Sequence, residues 1–435
     1  MPFCAWSILI TMRNLKKQLL PAITFVLCSF LLWGCKNCGC GYEKCLIVSD
    51  IHLQLDNDST GYGKDPSLGL IQAMVKKMHD VLPEPKFIVI AGDFVGHEVQ
   101  DGQKAAIIDK VAQIFHATFD KKIPIIPVFG NNDSDGGDYV KQSPAFLSSF
   151  ARSWNLSSLG VDTGEFVKWG GYYNASIKGD NFPNLNFVAL NSSLVSDNMH
   201  RYKGKDSLVT YKEGAAMLQW LNTTLAKDSS KKSWIIYHMP PGNDTYKIVA
   251  NQSKPADKRR ADTLMWNAAY TATFDSIMNV KSKNIAFGIA GHTHRNSFLV
   301  FSNAAGSPVA YTRVVSSVSP NYGNNPSFEV ADFDPKTCGV VSERTYALNI
   351  ANVKTSKDLA AATWTDKYSI NNVDGLKKAN SATLYDFAKK NSSDTSMLDS
   401  KYIYFYNSGA RSSDPNNLTL NNYPIYFQNS LLQAR

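Results

Sequence analysis

Side chains that can bind metal ions follow five short apolar runs of the chain. The segments read VSDIHL, AGDFVGHE, FGNND, IIYHM and AGHTHR. Carboxylate and imidazole ligands together suit Zn, Fe or Mn rather than Ca. The candidate residues are Asp50, His52, Asp93, His97, Asn131, His238, His292 and His294.

Each segment by itself has a simpler explanation. An Asp at a strand end usually caps a turn or a helix, and a single His more often makes a structural hydrogen bond. A Gly-Asn pair is typical of a turn. The complete set, in one order and always after an apolar run, favours a common site over five unrelated turns.

The elements that must carry these residues alternate along the chain. Short β-branched runs such as CLIVSD, KFIVIAGD and NIAFGIAGH predict buried strands, and PSLGLIQAMVKKMHDVL has helical spacing. The alternation indicates an α/β fold, in which ligands bind at the carboxyl ends of the strands. Residues two apart in extended chain point to the same side, so we expect Asp50 with His52, and His292 with His294, to converge.

The order Asp-x-His, Gly-Asp, Gly-Asn, His, Gly-His-x-His resembles the calcineurin-like metallophosphoesterase superfamily over roughly residues 45–295. The segments GDFVGHE, SWIIYHMPPGND and SPNYGNNPSFEVADFD look like its acid sphingomyelinase-like branch. The resemblance implies a two-sheet α/β sandwich flanked by helices. It also implies a mainly helical C-terminal extension.

The expected organisation has four parts. Residues 1–34 are a leader, 35–44 a tether, 45–350 the catalytic domain and 351–435 the helical extension. The extension is set apart by its high content of Asn, Ser, Lys and Tyr. Its aromatic stripe near residue 404 is interpreted as packing.

The resemblance also implies how the metal ligands are shared. One ion would be held by Asp50, His52, Asp93 and His294. Asp93 would bridge to a second ion, which Asn131, His238 and His292 would also hold. We expect Zn first, with Mn or Fe as alternatives. Two such ions clamp a phosphate group and lower the pKa of a bound water to about 7, which gives a hydroxide that attacks phosphorus.

Asn132 is the departure from the family pattern, because a His is expected after Gly-Asn. An amide donates a hydrogen bond but delivers no proton at neutral pH. His97, four residues after Asp93, is the predicted general acid, and an inert role outside the ligand set is the alternative. Asn132 is expected to orient the phosphate, and Asp133 either to contact a residue that binds metal or to stabilise a turn.

Three functions follow from this pattern. The first is a phosphodiesterase that acts on a phospholipid head group such as sphingomyelin or on a nucleotide derivative. The second is a hydrolase of polyphosphate or nucleotide phosphoanhydrides, whose weakly basic leaving groups need less protonation. The third, which only Asn132 favours, is a catalytically impaired surface protein that binds metal and phosphate.

The N-terminus predicts export. Basic residues Arg13, Lys16 and Lys17 precede an apolar run, as in a secretory signal. The run ends in Gly34-Cys35, which resembles a lipoprotein lipobox, so membrane attachment through Cys35 is expected; a cleaved signal and an uncleaved anchor are alternatives. We expect an extracytoplasmic protein, either a periplasmic or surface lipoprotein or a secreted one.

The bulk composition adds little about function. The chain has 435 residues and a formal net charge of +8, part of which lies in the leader. That charge does not predict specific nucleic-acid binding. The seven Cys lie mostly near the N-terminus, and CKNCGC lacks a second Cys pair at zinc-ribbon spacing. Disulfide pairing is left open.

Overall fold

The structure is a computed structural model, and the predicted leader and Cys35 lie outside the residues that it describes. In the described part of the chain, no helix is long and apolar enough to cross a membrane. The described residues are 41–58, 60–177, 185–197, 207–228, 230–252, 254–255, 263–376, 378–393, 400–410 and 416–433.

Thirteen strands in the described residues form two sheets. The first sheet has the order β12-β11-β10-β1-β2-β3, and the second has the order β13-β8-β9-β7-β6-β5-β4. In chain order, β1–β13 are Glu43–Val48, Ile88–Ile90, Ile125–Pro127, Tyr173–Ser176, Leu185–Ala189, Lys232–Ile236, Ile285–Ala290, Ser297–Ser302, Pro308–Val314, Ser327–Phe333, Val340–Asn349, Thr363–Tyr368 and Leu431–Gln433.

Ten α-helices in the same residues flank the sheets. Several are capped as their sequences require; Ser67 accepts a hydrogen bond from the backbone of Leu70 at the start of the first helix. The helices α1–α10 are Leu68–Val81, Asp101–Thr118, Pro144–Ser153, Thr163–Trp169, Ser207–Lys227, Thr245–Gln252, Ala268–Val280, Ser381–Ser393, Ser400–Tyr406 and Tyr423–Asn429.

Aromatic side chains fill the space between the two sheets. Phe87 precedes β2 of the first sheet, and its ring lies 5.1 Å from that of Trp234 on β6 of the second. Phe333 on β10 packs on the same Trp ring. A separate cluster on the outer face of the second sheet includes Tyr237 and Phe274 of α7. The predicted α/β sandwich is therefore confirmed.

The parallel strands of both sheets direct their carboxyl ends to the candidate ligands. β1, β2 and β3 are parallel neighbours in the first sheet, and β6 and β7 are parallel neighbours in the second. The residues that follow them are Asp50 and His52 after β1, Asp93 after β2, Asn131 after β3, His238 after β6, and His292 and His294 after β7.

The described residues after 350 form three α-helices, α8–α10, and also one edge strand of each sheet. β12 pairs with β11 in the first sheet, and β13 pairs with β8 in the second. Glu43–Arg435 forms one compact unit by its internal contacts. The extension thus continues the sandwich as well as covering it.

A buried Arg ties the two sheets together. Arg313 on β9 donates from Nε to Glu343 on β11 at 2.7 Å, and from Nη2 to Glu329 on β10. It also donates to Asn296 Oδ1 at 2.9 Å. All three charged side chains are 4% exposed or less. Burial raises the pKa of Glu329 to about 7 even though Arg313 opposes the rise.

Arg313→Met is expected to destabilise the fold by about 3–5 kcal/mol near pH 8, because it leaves two buried carboxylates without their cation. Carboxyls with a raised pKa take up protons more readily in the folded state, so the loss should be smaller near pH 5. Urea unfolding at both pH values measures it. Lys401→Met, which breaks an exposed pair with Asp374, is the control and should cost less than about 1 kcal/mol. A loss of equal size at both pH values would contradict the account.

Candidate metal centre

Asp93 lies at the centre of the candidate site. Its Oδ2 is 3.1 Å from Nε2 of His238 and 3.4 Å from Nε2 of His52. The carboxylate is 2% exposed and therefore has almost no contact with solvent. One oxygen thus faces imidazoles that come from opposite sheets, which is the position expected of a bridging ligand.

Asp50 takes a similar place beside it. Its Oδ1 lies 3.3 Å from Nε2 of His294 and 3.8 Å from Nε2 of His52. Its Oδ2 accepts hydrogen bonds from Ser49 Oγ and from the backbone N–H of His292. These bonds hold the carboxylate while one oxygen remains directed at the imidazoles.

Backbone carbonyls set which nitrogen each imidazole presents. His238 donates from Nδ1 to the carbonyl of Ala91 at 2.7 Å, and His52 donates from Nδ1 to Val95 at 3.0 Å. The Nε2 atoms of both rings are therefore unprotonated in the neutral form and face the carboxylates. Nε2 of His294 lies 3.1 Å from that of His52.

Asn131 is oriented by an acid that sequence reasoning did not identify. Its amide Nδ2 donates to Asp138 Oδ1 at 2.7 Å, so the amide oxygen turns the other way. That oxygen lies 3.1 Å from Nε2 of His238. Asp138 follows no apolar run, and the pattern that revealed the ligands does not mark it.

Asp133 stabilises the loops that carry two of the ligands. Its carboxylate accepts from the backbone N–H groups of Phe94 and Gly130 at 2.9 and 2.8 Å, and from Val95 at 3.2 Å. It is fully buried. These contacts join the loop after β2 to the loop after β3.

His97 lies at the edge of the centre and has a partner that the sequence did not predict. Its Nδ1 lies 3.0 Å from the carboxylate of Asp65, and its ring stacks on His52 with centroids 4.3 Å apart. Tyr322 OH lies 3.5 Å from its Nε2. The hydrogen bond from His97 lowers the pKa of Asp65 to about 2, against burial, which would raise it.

Asn132 contacts the central carboxylate on both sides. Its backbone N–H donates to Asp93 Oδ1 and its amide Nδ2 donates to Asp93 Oδ2, both at 2.9 Å. The side chain is 6% exposed. The contact with Asp93, which sequence reasoning did not predict, orients this carboxylate. The contact with phosphate stays a prediction.

Left-handed backbone conformations concentrate at this site. Among the described residues, nine other than glycine have positive φ, and five of them are candidate ligands. Such conformations cost energy for most side chains and occur mainly where the surroundings impose them. The five ligands are Asp50, His52, Asp93, His292 and His294.

The glycines before the ligands are required by close approach. A Cβ on Gly130 would lie 2.0 Å from Asp93 Oδ1, and one on Gly291 would lie 2.6 Å from Asp50 Oδ2. Contacts this short are not tolerated. The Gly-Asn and Gly-His pairs therefore reflect packing of one strand-end loop against another ligand.

The electrostatics of the pocket favour positive charge. Burial opposes ionisation of Asp93, but His238 and His52 hold its pKa well below the usual range. The carboxylates in turn raise the pKa of His52 to about 9 and of His238 to about 10, against burial. Burial lowers the pKa of His292 to about 4, which leaves a neutral imidazole able to bind a metal.

These donors fit divalent metal ions. Three groups of ligand atoms each lie within 4.8 Å of one another, and two of them share Asp93. Mixed carboxylate and imidazole donors match a borderline transition metal. The groups are Asp50 with His52 and Asp93; Asp93 with His238 and His292; and His52 with His97 and His294.

Gly130→Ala should lower metal binding because its methyl group would displace Asp93. A fall of about 10-fold or more in affinity is expected, as for other changes that move metal ligands. Isothermal titration calorimetry with the metal ion measures the change in affinity. Gly102→Ala is the control, since a Cβ there meets nothing within 4 Å. Equal affinity in the two variants would contradict the packing argument.

Two known proteins are similar in sequence to this chain. Sphingomyelinase phosphodiesterase D of Dictyostelium discoideum is 24% identical over 314 residues, which cover 71% of this chain and 65% of that protein. Human cyclic GMP-AMP phosphodiesterase SMPDL3A is 26% identical over 343 residues, which cover 74% of this chain and 68% of that protein. The chain thus spans about two thirds of these relatives.

The family model described as calcineurin-like phosphoesterase matches residues 44–296, the region that holds every candidate ligand. The match covers more than half of the chain. The chain therefore belongs to the calcineurin-like phosphoesterase family.

Proposed function

We propose that this protein is an exported phosphodiesterase of the acid sphingomyelinase-like type that works with two divalent metal ions. The observation that carries the proposal is the pair of ligand groups that share Asp93. One group contains Asp50 and His52, and the other contains His238 and His292. A shared carboxylate between two donor groups is what a pair of adjacent ions requires.

The residues present divide between two ions as the family resemblance implies. Asp50, His52, Asp93 and His294 would hold one ion, and Asp93, Asn131, His238 and His292 would hold the other. When bound, such ions supply Lewis acidity and lower the pKa of water, and Zn is proposed ahead of Mn and Fe. The neutral imidazoles of His292 and His294 support this assignment, because burial lowers the pKa of both.

His97 is proposed to protonate the leaving group. Its Nδ1 is engaged by Asp65, so Nε2 is the atom left to act. The side chain is 28% exposed, whereas the rings of His52 and His238 are fully buried. His97 therefore combines contact with the centre and contact with solvent, which a proton donor needs.

Asn132 is proposed to orient both Asp93 and the phosphate. Its backbone N–H and its amide both donate to Asp93, and the amide itself has no proton to deliver at neutral pH. The substitution of Asn for His favours substrates whose leaving groups are weak bases. This keeps phosphoanhydrides of nucleotides or polyphosphate as the second candidate substrate class.

The substrate proposal draws on the relatives. They are named for sphingomyelin and for cyclic GMP-AMP, both of which are phosphodiesters. We propose a phosphodiester, in a lipid or a small molecule, as the substrate of this chain. A metal- and phosphate-binding protein without activity is disfavoured because all seven predicted ligand positions hold residues that can bind metal.

Export rests on the sequence. The basic and apolar leader supports an extracytoplasmic location, and Gly34-Cys35 supports attachment to a membrane through a lipid on Cys35. A periplasmic or surface lipoprotein and a secreted protein are the two forms of this proposal.

The mature chain, loaded in turn with Zn, Mn, Fe and Mg, should hydrolyse bis(p-nitrophenyl) phosphate faster than p-nitrophenyl phosphate. Release of p-nitrophenol measures both rates. Asp93→Asn should abolish turnover, because it removes the shared carboxylate. Asp80→Asn, at an exposed position paired with Lys76, is the control and should retain full activity. Metal bound without turnover under any condition would overturn the enzymatic proposal.

His97→Ala should slow hydrolysis of diphenyl phosphate by about 100-fold or more, since phenolate is a basic leaving group that needs a proton. The loss on bis(p-nitrophenyl) phosphate should be much smaller. Steady-state kinetics on both substrates measure the difference. His79→Ala on α1 is the control. Equal losses on the two substrates would count against proton donation by His97.

A further inference from the structure

We propose that Asp65 is a positioning residue that holds the His97 imidazole with its Nε2 directed at the metal centre. The inference rests on the proposed role of His97 and extends it to a residue outside the metal-binding motifs. Asp65 lies in the loop between β1 and α1, in the segment GYGKDPS. No apolar run precedes it, which explains why the motif pattern does not mark it.

The contacts of Asp65 converge on one histidine. Its Oδ2 accepts from the backbone N–H of His97 at 2.7 Å, and both carboxylate oxygens lie 3.0 Å from Nδ1 of the same residue. Ser319 Oγ donates to Oδ1 at 3.2 Å. Asp65 therefore binds both the main chain and the ring of His97.

The burial of Asp65 makes these contacts necessary. The residue is 7% exposed, and a buried carboxylate is costly unless donors satisfy it. A Cβ on Gly96 would lie 3.2 Å from Asp65 Oδ2, a tight contact, so a glycine at this position eases the approach of the loop after β2 to the carboxylate. The surroundings of the carboxylate thus supply both hydrogen-bond donors and the space that it needs.

Two further contacts complete the orientation of the ring. The His97 and His52 rings are nearly parallel, with an angle of 9° between their planes. The Tyr322 ring is T-shaped to that of His97, with centroids 5.9 Å apart and an angle of 75° between the ring planes. Stacking sets the plane of the ring, but it does not decide which nitrogen faces inward. The bond to Asp65 makes that choice, because a carboxylate only accepts and so requires the proton on Nδ1.

The loop that carries Asp65 is itself anchored. Thr60 N–H donates to the carbonyl of Lys354 at 2.7 Å, and Gly63 N–H donates to the carbonyl of Pro320 at 3.2 Å. Tyr62 OH donates to Asn325 at 2.7 Å. Segments distant in sequence therefore hold the loop of Asp65 in place, so its carboxylate can hold the His97 ring in one orientation.

Asp65→Asn is the discriminating variant, because its amide oxygen can still accept from the backbone of His97 while its amide nitrogen can donate to the ring. We expect a loss of about 10–100-fold on diphenyl phosphate, with little change on bis(p-nitrophenyl) phosphate. In the His97→Ala background the same change should cost nothing further. Metal content and the thermal midpoint should match those of the parent protein.

A second readout follows the ring directly and does not depend on turnover. With ¹⁵N-labelled histidine, long-range ¹H–¹⁵N spectra should show His97 with its neutral proton on Nδ1, assigned by the loss of that signal in His97→Gln. Asp65→Asn should move the proton to Nε2. Asp80→Asn, at an exposed position paired with Lys76, is the control and should leave the signal unchanged.

The outcomes separate this proposal from the proposed function. If His97→Ala causes no loss that depends on the leaving group, the acid role of His97 fails, and the catalytic part of this proposal fails with it. If His97→Ala does so but Asp65→Asn does not, only the role of Asp65 is overturned. Additive losses in the double variant, or an unchanged imidazole signal in Asp65→Asn, also overturn it.

Discussion

The burial of one charged carboxylate, that of Asp93, constrains the rest of the structure, because this side chain is only 2% exposed. Burial opposes that charge, and His52 and His238 from opposite sheets offset it. To deliver these partners, strands of both sheets must end at one point. The left-handed backbone of the ligands and the glycines packed against them follow from this crowding. Strain of about 1–3 kcal/mol at each such residue persists because the sandwich imposes it.

The proximity of the candidate ligands could be predicted from sequence because their signal is local. An apolar run followed within a few positions by Asp, His or Asn is readable in the printed chain, and parallel strands bring such ends together. Asp65, Asp138 and Arg313 could not be found in this way. Asp65 reaches His97 across 32 positions, and Arg313 meets Glu343 across 30. Their roles arise from packing between segments that are distant in sequence. The spacing of apolar and polar residues within one segment does not indicate such contacts.

The C-terminal extension shows the same limit. Its content of Asn and Ser suggested a segment set apart from the core, yet its residues accept hydrogen bonds from side chains that lie near the site. Asn296, two residues after His294, donates to the carbonyl of Phe405 at 2.9 Å and to Ser408 Oγ at 3.1 Å. Asn325 donates to the carbonyl of Ser408 at 3.0 Å. The extension therefore braces the loops that carry His294 and Tyr322, through the carbonyls of Phe405 and Ser408 and the Ser408 hydroxyl.

The role of Asn132 follows from its position beside the Asp93 carboxylate. The backbone N–H and the amide Nδ2 of Asn132 both donate to the Asp93 carboxylate, and the amide adds no titratable group. On the proposed mechanism, the proton for the leaving group comes from the side of His97. The rate would then depend on where the leaving oxygen lies relative to His97. The substitution at position 132 would in that case favour substrates by the position and basicity of their leaving group.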